Sequence, residues 1–395
     1  MPDHPTRPEI DLLDGRWYQG NPLDDYAWMR ENAPVYWDPN AKIWGVNLHE
    51  DVMAVSKTPE IFCSEQGSRP ESSVPSMINM DDPGHKSHRN LVNRGFTPKK
   101  LAQDEIKVRE IVTGLIDNVI ARGTCEFVHE VAAPLPMIMI GDMLGVEPED
   151  RDTLLKWSDD LLRTSGSAEP EDLKASAEAA IGWFEYSSRV ITDRRSNPRD
   201  DLISILVHGE VDGKKLTDDQ IQNETLLILV GGDETTRHVI TQGMEVLIRQ
   251  PEQRQKLIDD PSKVPVAVEE MLRFVSPIKN MNRTATRDTE LRGQKVREGE
   301  KLLLLYHSAN MDERVFDHPE LFDAERQPNH HVAFGGYGTH HCLGASLAKL
   351  ELRIMFEELL ARLPDLELAT QEPLPLRRNN FIVGIEEMPV RFTPR

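Results

Sequence analysis

One cysteine lies in a segment built for close approach: Phe334-Gly-Gly-Tyr-Gly-Thr-His-His-Cys342-Leu-Gly344. Gly335, Gly336 and Gly338 allow backbone angles closed to other residues, and they let a flat ligand come up against the main chain. An amphipathic run follows at once, with Leu343, Leu347, Leu350, Ile354 and Leu359 near one face. A thiol at a helix start feels that terminus's partial positive charge, which lowers its pKa and favours the thiolate. Three chemistries are then open. A nucleophile needs a distant His and Asn, which spacing cannot display. Zinc needs further ligands, and although His340 and His341 adjoin the cysteine, no CxxC or HxxxH occurs nearby. The third is thiolate ligation of haem iron, which pushes electron density to the metal and favours O–O cleavage. Cys63 and Cys125 sit among apolar neighbours and read as buried small hydrophobes.

Other residues add acid, base and charge. Gly231-Gly232-Asp233-Glu234-Thr235-Thr236 follows the apolar run Leu226–Val230, so this stretch is expected inside the protein. Two glycines within a helix cost about 1 kcal/mol each relative to Ala, and a local opening of the helix at a small ligand is one reason to keep them. His85 and Arg89 are one helical turn apart and can converge on one anionic group. Glu270 and Arg273 share a helix face; an exposed pair of this kind contributes about half a kcal/mol or less, but a buried one is costly to break.

Long helices must position these groups. The spacing predicts helices from about Gly84 to Val207, broken at Gly123, Pro134, Gly145 and Gly166. One long helix is expected over Asp218–Gln250, with Thr217 or Asp218 as N-cap, and others over Val264–Phe274 and about Leu343–Leu363. Pro34–Trp37 and Ile43–Val46 read as a hairpin, while Thr284–Leu291 and Lys301–Tyr306 read as strands. Ser64–Met80 is a loop by composition. No linker or repeat interrupts the 395 residues, so one domain spanning 1–395 is expected, an α-rich body with a small β lobe. A net charge of −21 excludes nucleic acid as a main partner. No apolar run reaches the roughly 18 residues of a membrane span, and the first residues carry no signal-peptide core. Three cysteines fit a reducing cytoplasm.

With these motifs in hand, the chain resembles the cytochrome P450 superfamily, and the resemblance runs from about residue 20 to the end. The loop is similar to the family's haem-binding signature, matching at Gly336, Gly338, His340, Cys342 and Gly344. Phe334 lies one residue further from the cysteine than usual, as in some bacterial sterol-oxidising members. The resemblance implies a mainly α fold with a smaller β part, and haem b (iron protoporphyrin IX) between the long helix and the helix after Cys342. It makes Cys342 the axial ligand of the iron, and His85, Arg89, Arg283 and His340 partners of the haem propionates. Gly231 and Gly232 mark the oxygen site. Thr235 would hydrogen-bond dioxygen or water, and Glu234 would relay protons. Glu270 and Arg273 are the family's structural ExxR pair.

The family's substrate-lining regions here supply Met77, Ile78, Met80, Leu227, Ile228, Ile278, Met281, Phe381 and Ile382, and include the stretch at 160–185. Leu227, Ile228 and Gly231 precede Thr235 by eight, seven and four residues and can share its face. An apolar, Met-rich lining suits a large hydrophobic ligand. Leu135-Pro-Met, Ile140–Gly145, Lys156–Leu162, Gly231–His238 and Ile278–Met281 look like actinobacterial enzymes that oxidise the cholesterol side chain. That likeness implies hydroxylation of a terminal methyl on cholesterol or cholest-4-en-3-one. Fatty acids and terpenoids are the other substrate classes. The chain carries no flavin or iron–sulfur motif, so the resemblance implies electrons from NAD(P)H through a ferredoxin reductase and a ferredoxin. Lys86, Arg89, Arg94, Lys99 and Lys100 form a basic patch that could dock an acidic ferredoxin. A peroxide-driven peroxygenase and a non-catalytic haem sensor or lipophile carrier are the competing readings; neither needs the Glu234–Thr235 pair.

Overall fold

The computed structural model describes residues 4–71, 74–96 and 98–395, with the side chains of 98–103 excepted. At its centre runs the helix Asp218–Arg249, 32 residues and roughly 48 Å long at 1.5 Å per residue. Its start is a capping box: the Gln220 N–H donates to the Thr217 hydroxyl at 3.3 Å, and the Thr217 N–H to the Gln220 side chain at 2.9 Å. Pro134–Leu144, Val264–Val275 and Ala345–Arg362 pack around its middle and C-terminal half. The contacts are close: a Cβ on Gly243 would stand 3.0 Å from the Phe356 ring. This packing makes the largest core cluster, which includes Val239, Met244, Leu247, Met271 and Phe356.

The β part is a five-stranded sheet. Val35–Asp38 and Ile43–Val46 form the expected hairpin. Ile43–Val46 then pairs in parallel with Lys301–Leu305, which pairs antiparallel with Asn280–Ala285, and Phe62–Cys63 closes the edge. The predicted strand at Thr284–Leu291 is two strands in different sheets, Asn280–Ala285 and Thr289–Leu291, because the chain turns through Thr286–Asp288. The helix after the cysteine begins at Ala345, two residues later than its apolar pattern suggests.

The expected opening of the central helix at Gly231–Gly232 is absent. The helix is continuous there, and the π-helical turn of the described residues lies at Val128–Ala132. Packing explains one of the glycines: a Cβ on Gly232 would meet the Ile140 side chain at 2.3 Å. Gly231 has nothing within 4 Å of that position, so it faces open space.

Candidate active site

That open space is a cavity with about 260 Å3 accessible to the centre of a water molecule, and about 1600 Å3 free of atoms when its mouth is included. The cysteine loop forms one end. The Cys342 N–H donates to the Phe334 carbonyl at 2.9 Å, which closes the loop on itself. Gly335 has φ 94° and Tyr337 φ 58°, the left-handed turn that the glycine spacing anticipates. The other two glycines are required by the end of the helix His49–Ser56: a Cβ on Gly336 would lie 2.3 Å from Ser56 Oγ, and one on Gly338 1.8 Å from the Ser56 carbonyl oxygen. Phe334, despite its shifted position, is a cavity wall; its ring centre is 5.9 Å from that of His331, and Lys349 Nζ sits 5.4 Å from it.

Cys342 has accessible surface toward the cavity and dense protein elsewhere. Burial pushes its thiol up, and the Gly344 and Ala345 N–H groups and Arg89 only partly offset that. The sequence expectation of a lowered thiol pKa is thus reversed for the free side chain, since desolvation outweighs the helix terminus.

Four cationic or potentially cationic side chains gather beside it. The His85 and His340 rings are 4.1 Å apart, tilted by 38°. Arg89 donates to the His341 carbonyl at 2.6 Å and the Thr339 carbonyl at 3.3 Å; Arg283 donates to its neighbour Asn282's carbonyl at 2.7 Å. None of these acceptors is an anion. His340 Nε2 is buried with no hydrogen-bond partner. Burial first, then Arg283, His85 and Arg89, hold the His340 ring down to about 3.

Thr235 lies on the cavity wall, and its hydroxyl donates to the Gly231 carbonyl at 3.0 Å. Glu234 points away from the cavity into an ion cluster. Its Oε2 accepts from Arg237 at 2.8 Å and Arg377 at 2.7 Å, and both arginines also hold Asp159. Arg377 donates to Glu386 as well. Burial pushes the Glu234 carboxyl up to about 7 while the two guanidiniums pull against it. Next to it, Asp233 is fully buried with no partner for either oxygen, and burial and Glu234 keep its carboxyl well above the usual range.

Eight of the nine residues named for the substrate lie on the cavity wall: Met77, Ile78, Leu227, Ile228, Ile278, Met281, Phe381 and Ile382. Two expectations fail. Met80 and the 160–185 stretch contribute no wall residue, because the Pro170–Ser196 helix turns its buried face to the neighbouring helix Arg151–Leu162 instead. Glu270 and Arg273 are fully buried and joined by two 2.7 Å bonds, away from the cavity. Lys99 and Lys100 lie outside the described side chains. The sequence reading missed Asp159, Arg237 and Arg377, and also Glu224. Glu224 ties the Met77 N–H (2.8 Å) and His88 (3.2 Å) to the central helix. An arginine three residues after an acid was a usable signal for Arg237; nothing local pointed to Arg377.

A mostly helical body enclosing an apolar cavity with one cysteine among cations defines a protein that holds a prosthetic group over a buried site. The cytochrome P450 family model matches residues 171–264 and 262–392. A steroid C26-monooxygenase of Mycolicibacterium smegmatis is 49% identical over 392 residues, covering 98% of this chain and 97% of the relative. A methyl-branched lipid omega-hydroxylase of Mycobacterium tuberculosis is 39% identical, covering 93% and 90%. Among solved structures, CYP109E1 from Bacillus megaterium in complex with testosterone superposes with a TM-score of 0.88 at 34% identity, over 95% of this chain and 98% of that one. The chain belongs to the cytochrome P450 family, and with it come haem, O2 and electrons supplied from outside the chain.

The residues present fit a haem. The unpaired His340 Nε2 and an excess of cations over anions at one end call for a group bearing carboxylates, such as two propionates. The open face at Gly231 leaves room for a flat ring against the central helix, and Cys342 offers a soft donor at the same end. No helix of the described residues is long and apolar enough to cross a membrane.

Proposed function

We propose that this cytochrome P450 monooxygenase inserts one oxygen atom from O2 into a terminal methyl C–H bond of a sterol or steroid side chain, cholesterol or cholest-4-en-3-one. The observation that carries the reading is the apolar wall facing Cys342, made by Met77, Ile78, Leu227, Ile228, Ile278, Met281, Phe381 and Ile382 with no charge among them. The relatives' printed activities, a steroid C26 oxygenation and an omega-hydroxylation, both concern a chain end. Haem b, when bound, supplies the activation of O2.

The chain's own residues do the rest. Cys342 holds the iron; His85, Arg89, Arg283 and His340 bind the propionates; Phe334, Gly231, Gly232 and Gly344 line the ring. The walls exclude water and present a methyl group by shape alone, because an alkyl chain end offers nothing to hydrogen-bond. The second oxygen atom leaves as water, which requires two protons and two electrons. Glu234, its carboxyl pushed up to about 7 by burial, would exchange a proton behind the wall, and the neighbouring Thr235 hydroxyl is the wall group that would donate a hydrogen bond into the cavity. The electrons come from NAD(P)H through a ferredoxin reductase and a ferredoxin, in the cytoplasm.

The test is a reduced, CO-bound difference spectrum, then spectral titration with cholest-4-en-3-one, a branched fatty acid and a terpenoid, and turnover with a competent redox chain. The expected product is the side-chain alcohol of the steroid. Oxygenation of the fatty acid or terpenoid alone would move the substrate class. Steroid binding without product would leave a lipophile carrier, and faster turnover with peroxide alone would make it a peroxygenase.

A further inference from the structure

The helix Pro170–Ser196 buries Ala179, Trp183 and Tyr186 on its inner face, and its Gly182 lies so close to Trp157 that a Cβ would stand 2.5 Å from the indole. Its outer face is a different matter. Leu173 is 51% exposed, Ile181 60% and Phe184 38%, and Ala177 is exposed between them. Steps of four, four and three residues align these side chains in one stripe. Single exposed hydrophobics are ordinary, but three of the eight large ones exposed among the described residues fall in this stripe. Along one border of it run Glu171, Lys174, Glu178, Glu185 and Arg189.

We propose that this face is a self-association surface, and that a second copy of the chain packs the same helix against it in antiparallel register. The charge order carries the argument. Reversing the helix about Ala179–Ala180 sets Lys174 opposite the partner's Glu185 and Glu171 one residue from the position opposite the partner's Arg189. Two-fold symmetry then repeats both pairs. The same reversal brings Leu173 within two residues of the partner's Phe184 and Ala177 within one of the partner's Ile181, close enough for the side chains to interleave. In antiparallel pairs the same border of each helix meets its counterpart, so these charges face one another across the seam. A parallel pair would instead set this border against the opposite border of the partner helix, away from its Lys174, Glu185 and Arg189. Within one copy the charges are loosely held: Lys174 Nζ lies 3.8 Å from Glu178, with side chains 76% and 68% exposed. An anionic membrane is a poor alternative occupant, since three of the five border charges are acidic and the chain carries −21.

One helix pair buries less than the roughly 800 Å2 per partner of a standard interface, so the dimer is expected to be concentration-dependent, with Kd in the micromolar range. Sedimentation velocity of the haem-loaded full chain from about 1 to about 300 µM tests it. The expected result is a monomer–dimer equilibrium, monomeric throughout for Ile181→Glu. Lys174→Glu and Glu185→Lys should each weaken association about tenfold, and the two together should restore it. Both positions are exposed, so melting temperature and CO difference spectrum should match the unaltered protein in every variant. A monomer at all concentrations, a dimer untouched by Ile181→Glu, failure of the charge swap to restore association, or binding to phosphatidylcholine vesicles that Ile181→Glu abolishes, would each overturn the proposal.

Discussion

Replacing Arg377 by Met should move the alkaline limb of turnover to higher pH, although Arg377 is not itself a cavity-wall residue. Arg377 gives one of the two charge-assisted bonds that Glu234 accepts, at 2.7 Å; Arg237 gives the other at 2.8 Å. Such a bond contributes about 1.5–3 kcal/mol, and one pKa unit corresponds to about 1.36 kcal/mol. With the opposing burial unchanged, the Glu234 carboxyl should rise from about 7 by about one to two units. If the neutral acid hands on the proton, activity falls as pH climbs through this pKa, so the variant should keep a larger share of its maximal coupling at pH 8 to 9 than the unaltered enzyme, roughly tenfold or more at the far side of the limb. Arg377→Lys retains a charge without the fork and should shift less.

Two measurements read this out. One is the pH profile of product formed per NAD(P)H consumed, with substrate saturating. The other is the infrared carboxyl band that disappears in Glu234→Gln, titrated directly. An unmoved limb and an unmoved band in a variant that still binds haem and substrate would refute the reasoning, as would a shift toward acid. Linkage gives an independent check. Glu234 has a folded pKa raised from 4.5 to about 7. The fold is therefore free of its ionisation cost below pH 4.5, and stability falls as pH rises between 4.5 and 7, by about 3 kcal/mol at most. Glu234→Gln should flatten that decline.

The remaining expectations concern scaffold and gate. Gly338→Ala places a Cβ 1.8 Å from the Ser56 backbone oxygen, so it should cost about 1–3 kcal/mol or more and lower haem occupancy. Gly231→Ala, with nothing within 4 Å, should melt no lower, or up to about 1 kcal/mol higher, yet disturb spectral binding of substrate; equal melting losses in the two would contradict the packing account. Glu270→Ala should destabilise by about 3–5 kcal/mol in chemical denaturation, because it strands Arg273, Arg326 (3.0 Å) and Asn329 (3.1 Å) together. Glu224→Leu frees the Met77 N–H and His88, and should weaken substrate about tenfold in spectral titration with haem content unchanged. Unaltered affinity would show that this tie does not shape the cavity.

What could be read in the sequence was whatever short spacing encodes. The cysteine loop is legible because three glycines, each with its own backbone or packing demand, fall within four positions. The central helix is legible from Thr217 and Gln220, since a capping box is a three-residue rule. Periodicity placed Leu227, Ile228 and Gly231 on the face of Thr235, and they line the cavity together. Where one local pattern had two physical causes, it misled. Gly231–Gly232 suggested an opened helix, but Gly232 is small because Ile140 packs against it. The family resemblance placed 160–185 on the cavity wall, but the buried face of Pro170–Ser196 is turned to the helix Arg151–Leu162.

Charge balance was the part that spacing could not carry. Read singly, His85, Arg89, Arg283 and His340 are solvated cations, and Glu234 is an acid beside an alcohol. Folded, the first four stand together, and among the described residues no carboxylate is bonded to Arg89 or Arg283, whereas Glu234 has two arginines, one of them 143 residues away. An unbalanced cluster retains binding energy for an anionic group that is not part of the chain. A balanced one holds its charges in place and leaves the proton as the thing that can move. The two clusters therefore differ in kind: one leaves room for an anionic group beside Cys342, and the other, behind the cavity wall, already contains both signs of charge. That difference is set by which distant residues complete each cluster, and it becomes visible only once the chain is folded.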